Sequence, residues 1–159
     1  MTWQDAKDAL AIALEGLTAT LPDGADGDTA SSAVRRVFTS PPSSIEPGDL
    51  PCIILGQSTL QDDWGPEALS EYELICSLVL RDEHIARAVE WTEAFRERVK
   101  TTLRQNVSLG GAVSVINGVN FTAVQDINWA GGGYTGFQFT LPIEMYEAVD
   151  FAVGDGVHP

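Results

Sequence analysis

The sequence predicts an α+β fold: a mostly antiparallel sheet of about six strands with two helices packed on one face. Three segments carry that expectation. Residues 70–81 alternate apolar and polar side chains, residues 82–106 read as one long charged amphipathic helix, and residues 134–146 alternate again to close the fold. Strands grouped in this way, with only two helices between them, point to helices laid on a sheet.

Taken in order, Thr2 and Asp5 have the spacing of a capping box, with a short acid in place of Glu. Trp3, Ala6, Leu10, Ala13, Leu14, Leu17 and Leu21 follow a period near 3.6, so a first helix is expected over residues 2–21, stopped by Pro22 and Gly24. Residues 23–32 are small, acidic and glycine-bearing, and read as an exposed loop. Residues 34–40 read as a short strand ended by Pro41 and Pro42. The proline-rich approach 40–51 is a loop with stiff, extended pieces. Residues 50–55 form a short interior strand, and the polar stretch 57–68 holds a turn at Trp64-Gly65-Pro66.

In the strand at 70–81, Tyr72, Leu74, Cys76, Leu78 and Leu80 share one face; Glu71, Glu73, Ile75, Ser77 and Val79 share the other. Asp82 is placed to cap the next helix. Its stripe Ile85, Val89, Thr92, Phe95, Val99 and Leu103 should cover the sheet, with Trp91 at the edge of the stripe. Gly110 and Gly111 break the chain, residues 112–116 form a strand, and Asn117-Gly118 is a hairpin turn into a return strand at 119–129. After a glycine turn at 130–133, Phe137, Phe139, Leu141, Ile143 and Met145 line one face of the last strand. Tyr134, Gln138, Thr140, Glu144 and Tyr146 line the other, and Pro142 suggests a sheet edge or a bulge. Residues 1–149 thus read as one domain and 150–159 as a flexible C-terminal tail.

Charge narrows the function classes. Twenty-three acids face nine bases, a formal charge of −14, and such a surface repels a phosphate backbone rather than binding it. No apolar run approaches the roughly 18 residues that cross a bilayer, and the N-terminus lacks the basic start of a signal peptide. A cytoplasmic protein is expected. Cys52 and Cys76 both fall in strands, as two buried free thiols or, alternatively, a disulfide.

Chemistry finds little purchase. Asp23, Asp26 and Asp28 share a glycine-bearing loop but lack the ligand spacing of a calcium loop, so a solvated acidic loop is expected. His84 and His158 have no partner at metal-ligand spacing, and neither a nucleophile elbow nor a phosphate loop is present. The expectation is a protein that is not an enzyme, with no catalytic, cofactor or metal residues. The residues left are contact candidates. Six of the nine bases lie at 81–104, and Arg96, Lys100 and Arg104 line one helix face. Either they complement the helix dipole and pair with Glu93 and Glu97, or they meet an acidic patch on a neighbouring copy. Trp64, Trp129 and Tyr134 sit in or beside glycine-flanked loops, either folded back on the core or serving as contact anchors.

The layout resembles the tail terminator proteins of long-tailed bacteriophages, also called minor tail or tail completion proteins. The likeness rests on the leading helix, the proline-rich approach to strand 50–55, the strand-then-helix block 70–106, and the closing segment 134–143. It is a likeness of element order over most of residues 2–148. The resemblance implies a non-enzymatic virion structural protein: a homohexameric ring that caps the head-proximal end of the tail tube, stops tube polymerisation and joins the tail to the head. The implied partners are copies of itself, the tail tube protein and the head–tail connector protein, with genomic DNA passing through the lumen unbound. A tail tube subunit or a head–tail joining protein fits the same layout. A small enzyme or ligand-binding domain is the remaining alternative, and it requires a deep polar pocket.

Overall fold

The computed structural model describes residues 2–23, 28–65, 69–129 and 131–146, and within them the chain is α+β. Helix α1 spans Trp3–Leu14, followed by β1 (Thr18–Asp23), β2 (Asp28–Ala33), β3 (Arg36–Phe38), β4 (Cys52–Asp62) and β5 (Leu69–Val79). A 3₁₀ turn at Asp82–Arg87 leads into α2 (Ala88–Gln105). Then come β6 (Val115–Ile116), β7 (Asn120–Phe121), β8 (Gln125–Trp129) and β9 (Gly132–Tyr146).

Strands β1 and β2 form a separate antiparallel hairpin. The main sheet runs β3-β4-β5-β9, with β6, β7 and β8 in succession along the far side of β9. Only β3 and β4 are parallel. The main sheet therefore has seven strands rather than six, because the stretch expected as two strands breaks into three short ones. The Asn117-Gly118 hairpin is corrected with it: β6 and β7 both pair with β9, not with each other. Both run antiparallel to β9, so the chain keeps its direction from β6 to β7 and Asn117-Gly118 makes no hairpin reversal.

β9 is central, not an edge. Pro142 sits opposite Glu73, and its carbonyl accepts the Asn117 N–H at 2.9 Å. In an antiparallel ladder a residue's N–H and C=O point to the same neighbour. The missing donor therefore faces the gap between β6 and β7, where no ladder bond is demanded.

The larger core cluster gathers Ile53, Leu55, Tyr72, Leu74, Cys76, Leu78, Phe137, Phe139, Leu141 and Ile143 from one set of sheet faces. To these it adds Ala6, Leu10 and Leu14 of α1 and Trp91, Phe95, Val99 and Leu103 of α2. Trp3 stacks on Tyr72 with ring centroids 3.9 Å apart, which adds roughly 0.5–1.5 kcal/mol beyond area burial. A smaller cluster on the opposite faces holds Leu50, Cys52, Ile54, Val79 and Ile127, with Phe38, Ile45, Trp129 and Tyr134 packed against it. Cys52 and Cys76 are buried free thiols in different clusters. Burial raises both, Cys52 to about 12 with nearby Asp49 adding to the effect.

The capping box at Thr2 and Asp5 forms as expected. The helix it opens ends at Leu14, seven residues short of the expected end. Gly16 turns the chain at φ +72°, which favours glycine, and the alternate side chains Leu17, just before β1, and Ala19 and Leu21 within it are buried. Leucines at 14, 17 and 21 satisfy a helical period, while 17, 19 and 21 satisfy a strand period. Packing of β1 on α2 and pairing with β2 decide for the strand. The expected loop at 23–32 is instead largely β2, with residues 24–27 outside the described set. The Asp23, Asp26 and Asp28 side chains, the tail 150–159 and His158 also lie outside it.

The expected strand at 34–40 shortens to β3. The long helix begins later than expected, at Ala88, and Asp82 opens the 3₁₀ turn instead of capping the α-helix. Its buried stripe shifts accordingly: Trp91 is buried, while Ile85 and Val89 are 45% and 58% exposed. A 3₁₀ turn advances 120° per residue rather than 100°, so a stripe counted through it at the α period drifts off the buried face.

Candidate contact surface

β4 is two strands in one. Cys52–Leu55 are buried at every position, and residues 57–62 are exposed at every position. The expected polar loop at 57–68 is thus the second half of β4, closing on β5 in a hairpin whose residues 66–68 lie outside the described set. Register slips between Leu55 and Ser58. The slip centres on Gly56, where a Cβ would lie 2.8 Å from the Ile75 carbonyl oxygen, so only glycine fits. Beyond Ile54, where pairing with β3 stops, the outer edge of β4 has no neighbouring strand among the described residues.

The tip of this hairpin is held by carboxylates. Asp62 accepts hydrogen bonds from the Ser70 hydroxyl at 2.6 Å and from the Trp64 indole N–H, and both hold its carboxyl below the usual range, Ser70 more strongly. Asp63 accepts the Gly65 N–H at 2.9 Å. With its N–H engaged, Trp64 presents its ring to solvent and is 78% exposed. Positions 51–80 hold five acids and no Lys or Arg. On the adjoining sheet face, Glu71 lies directly opposite Glu144 across β5 and β9, a like-charge pair, with Glu73 beside them. Together with Thr59, Gln61 and Asn117 they line a shallow groove of about 470 Å³. Asn117 donates its side-chain N–H to Glu144.

The basic row at the end of α2 divides. Arg96 donates to the Thr122 carbonyl oxygen at 3.1 Å and so braces the β7–β8 connection. Lys100 pairs with Glu97 at 2.9 Å on the helix surface. Arg104 is exposed and makes no ion pair among the described residues. Lys100 and Arg104 flank a groove of about 360 Å³ whose walls are Leu103, Val107, Ile116, Val119 and Phe121. The six contact candidates therefore fall in three places. Trp64 is at the hairpin tip, Lys100 and Arg104 are at the groove with Arg96 in the brace, and Trp129 and Tyr134 are on the second core cluster. Trp129 and Tyr134 are half-buried and pack against that cluster.

One structurally important residue escaped the sequence reading. His84 is buried, 2% exposed, between Trp91 and Phe95. Its Nδ1 accepts the Arg81 N–H at 3.3 Å, so Nε2 carries the proton and donates to the Ser32 hydroxyl at 3.0 Å. Burial first, and then the Arg81 charge, lower its pKa to about 4. The neutral ring ties the entrance of α2 to β2. Its only sequence signal was being one of two histidines beside a helix start; Ser32 is too distant in the chain to be guessed as its partner.

Among the described residues no group of three or more His, Cys, Asp or Glu is placed to hold a metal ion. No described helix is long and apolar enough to cross a membrane. Comparison with protein-family models and with characterised proteins returns no match.

Proposed function

We propose that this chain is a structural protein of a phage tail that forms a ring, six-fold as in the terminators it resembles, at the head-proximal end of the tail tube. In this reading both helices cover one face of the sheet and leave the far half of β4 for contacts between subunits or with the tube. The supporting observation is that uncovered half: an edge at 57–62 with no partner strand among the described residues, followed by a solvent-facing Trp64. Unpaired edges and exposed aromatics are what interfaces consume. The ring would cap the growing tube and offer its other side to the connector. A charge of −14 per copy suits a lumen that DNA traverses without adhering, because adhesion needs cations at phosphates.

The same free edge also favours a tube subunit, since edges propagate as readily as they close. Electron microscopy of the purified protein, alone and mixed with tube subunits, separates the two. Isolated rings that shorten tubes support the terminator reading. Filaments from the protein alone support the tube subunit, and no effect on tubes removes the terminator reading.

A further inference from the structure

We infer that the hairpin tip of one copy docks in the Lys100–Arg104 groove of a second copy, with the Trp64 ring against the apolar wall and Asp63 facing Arg104. The inference deepens the ring reading above and rests on it. Two solvent-facing features among the described residues, the Trp64 ring and the Arg104 side of the groove, are complementary. Trp64 is the most exposed large apolar side chain among the described residues, and it stands in a stretch with five acids and no base. The groove is apolar along Leu103, Val107, Ile116, Val119 and Phe121 and cationic on its rim.

Other grooves do not suit the tip. The one at Glu71, Glu73 and Glu144 is acidic and repels it. The one at Arg35 and Arg81 also carries Asp82 and Glu83. The one at 36–44 is built from serines and prolines around Arg36, with little apolar wall. Of these four grooves among the described residues, the α2 groove joins an apolar floor to the unpaired charge of Arg104, where an indole gains both burial and a cation over its face.

Residues 62–65 are also set in advance. Asp62 and Asp63 each bond within residues 62–65 or to Ser70, so the ring is positioned before docking and little ordering is lost on contact. Tip and groove are different patches, so the contact is head-to-tail. Repetition closes a ring or extends a filament according to its rotation.

The test is self-association of the purified full chain by sedimentation velocity over a concentration series. Trp64→Ala and Arg104→Glu are each expected to weaken association by roughly tenfold or more. Asp63→Arg should do the same, and Asp63→Arg with Arg104→Glu in one chain should restore association to within about threefold of wild type. An unchanged melting temperature in each variant shows that the contact, not the fold, was altered. Wild-type-like association of the single variants, absence of rescue by the charge swap, or a wild-type chain monomeric at its highest soluble concentration overturns the inference. Tube capping is scored separately. Variants that still form capping rings refute this contact and keep the terminator reading, whereas association lost and rescued without capping refutes that reading and keeps the contact.

Discussion

The two halves of β4 have one backbone geometry and opposite fates. Cys52–Ile54 have β3 on one edge, Cys52–Leu55 have β5 on the other, and a core cluster lies on each face. Among the described residues, 57–62 have β5 alone as a neighbour and are exposed at every position. The contrast teaches that strand formation here does not depend on burial of the strand itself. β5 is paired with β9 along its whole length and with β4 on either side of the slip, and it carries the exposed half of β4 as a guest. The covered half holds the fold together, and the uncovered half is free to make contacts.

Substitution should break the two halves apart. Leu55→Ala removes a fully buried side chain and is expected to destabilise by about 2–5 kcal/mol in denaturant titration, with a cavity term included. Leu60→Ala, five positions on, should stay within about 0.5 kcal/mol of wild type. Equal losses at the two sites would mean that the outer half is buried in solution, as in a stable assembly.

Acid should sharpen the same contrast. His84 has its folded pKa below the ordinary 6.5, so the unfolded chain takes up the proton first. Stability is full above about 6.5, falls as pH drops toward about 4, and changes no further from this group below that; the loss is on the order of 3 kcal/mol. His84→Gln should flatten that slope. Asp62 behaves differently: its lowered pKa means the tip is held above the ordinary carboxylate range and released only as pH falls below 3.8. As pH falls from about 6.5 to about 4, tryptophan fluorescence should report loosening around Trp91 while the contacts of Asp62 with Trp64 and Ser70 stay intact.

Smaller effects lie on α2. Arg96→Ala leaves the Thr122 carbonyl without this donor and should lower stability by about 1 kcal/mol, whereas Arg104→Ala should change it by less than about 0.5 kcal/mol. A reversed order in thermal melts would make Arg104 the brace and Arg96 the free charge.

The sequence made legible what has a period and a buried face. The alternation from Tyr72 to Leu80 and the Phe95, Val99 and Leu103 stripe are both where their side chains said they would be. The outer half of β4 was hidden because Gln57, Ser58, Thr59 and Gln61 face water on both sides, so no alternation is written there. The end of α1 was ambiguous because its leucines fit two periods. The contact candidates were readable as residue types, but their grouping was not. Nothing local says that Arg96 reaches Thr122, or that Phe121 and Ile116 wall a groove beside Lys100.

The two cysteines turn the sheet into a partition with one sentinel on each side. Cys52 lies in the layer with Ile54 and Ile127, and Cys76 in the layer with Phe95 and Phe139. Burial keeps both as unreactive thiols, so each becomes modifiable only when its own layer opens. Equal alkylation rates would mean that the molecule comes apart in one step. A faster rate at Cys52 would mean that the thinner layer peels away while the helix-bearing side still holds.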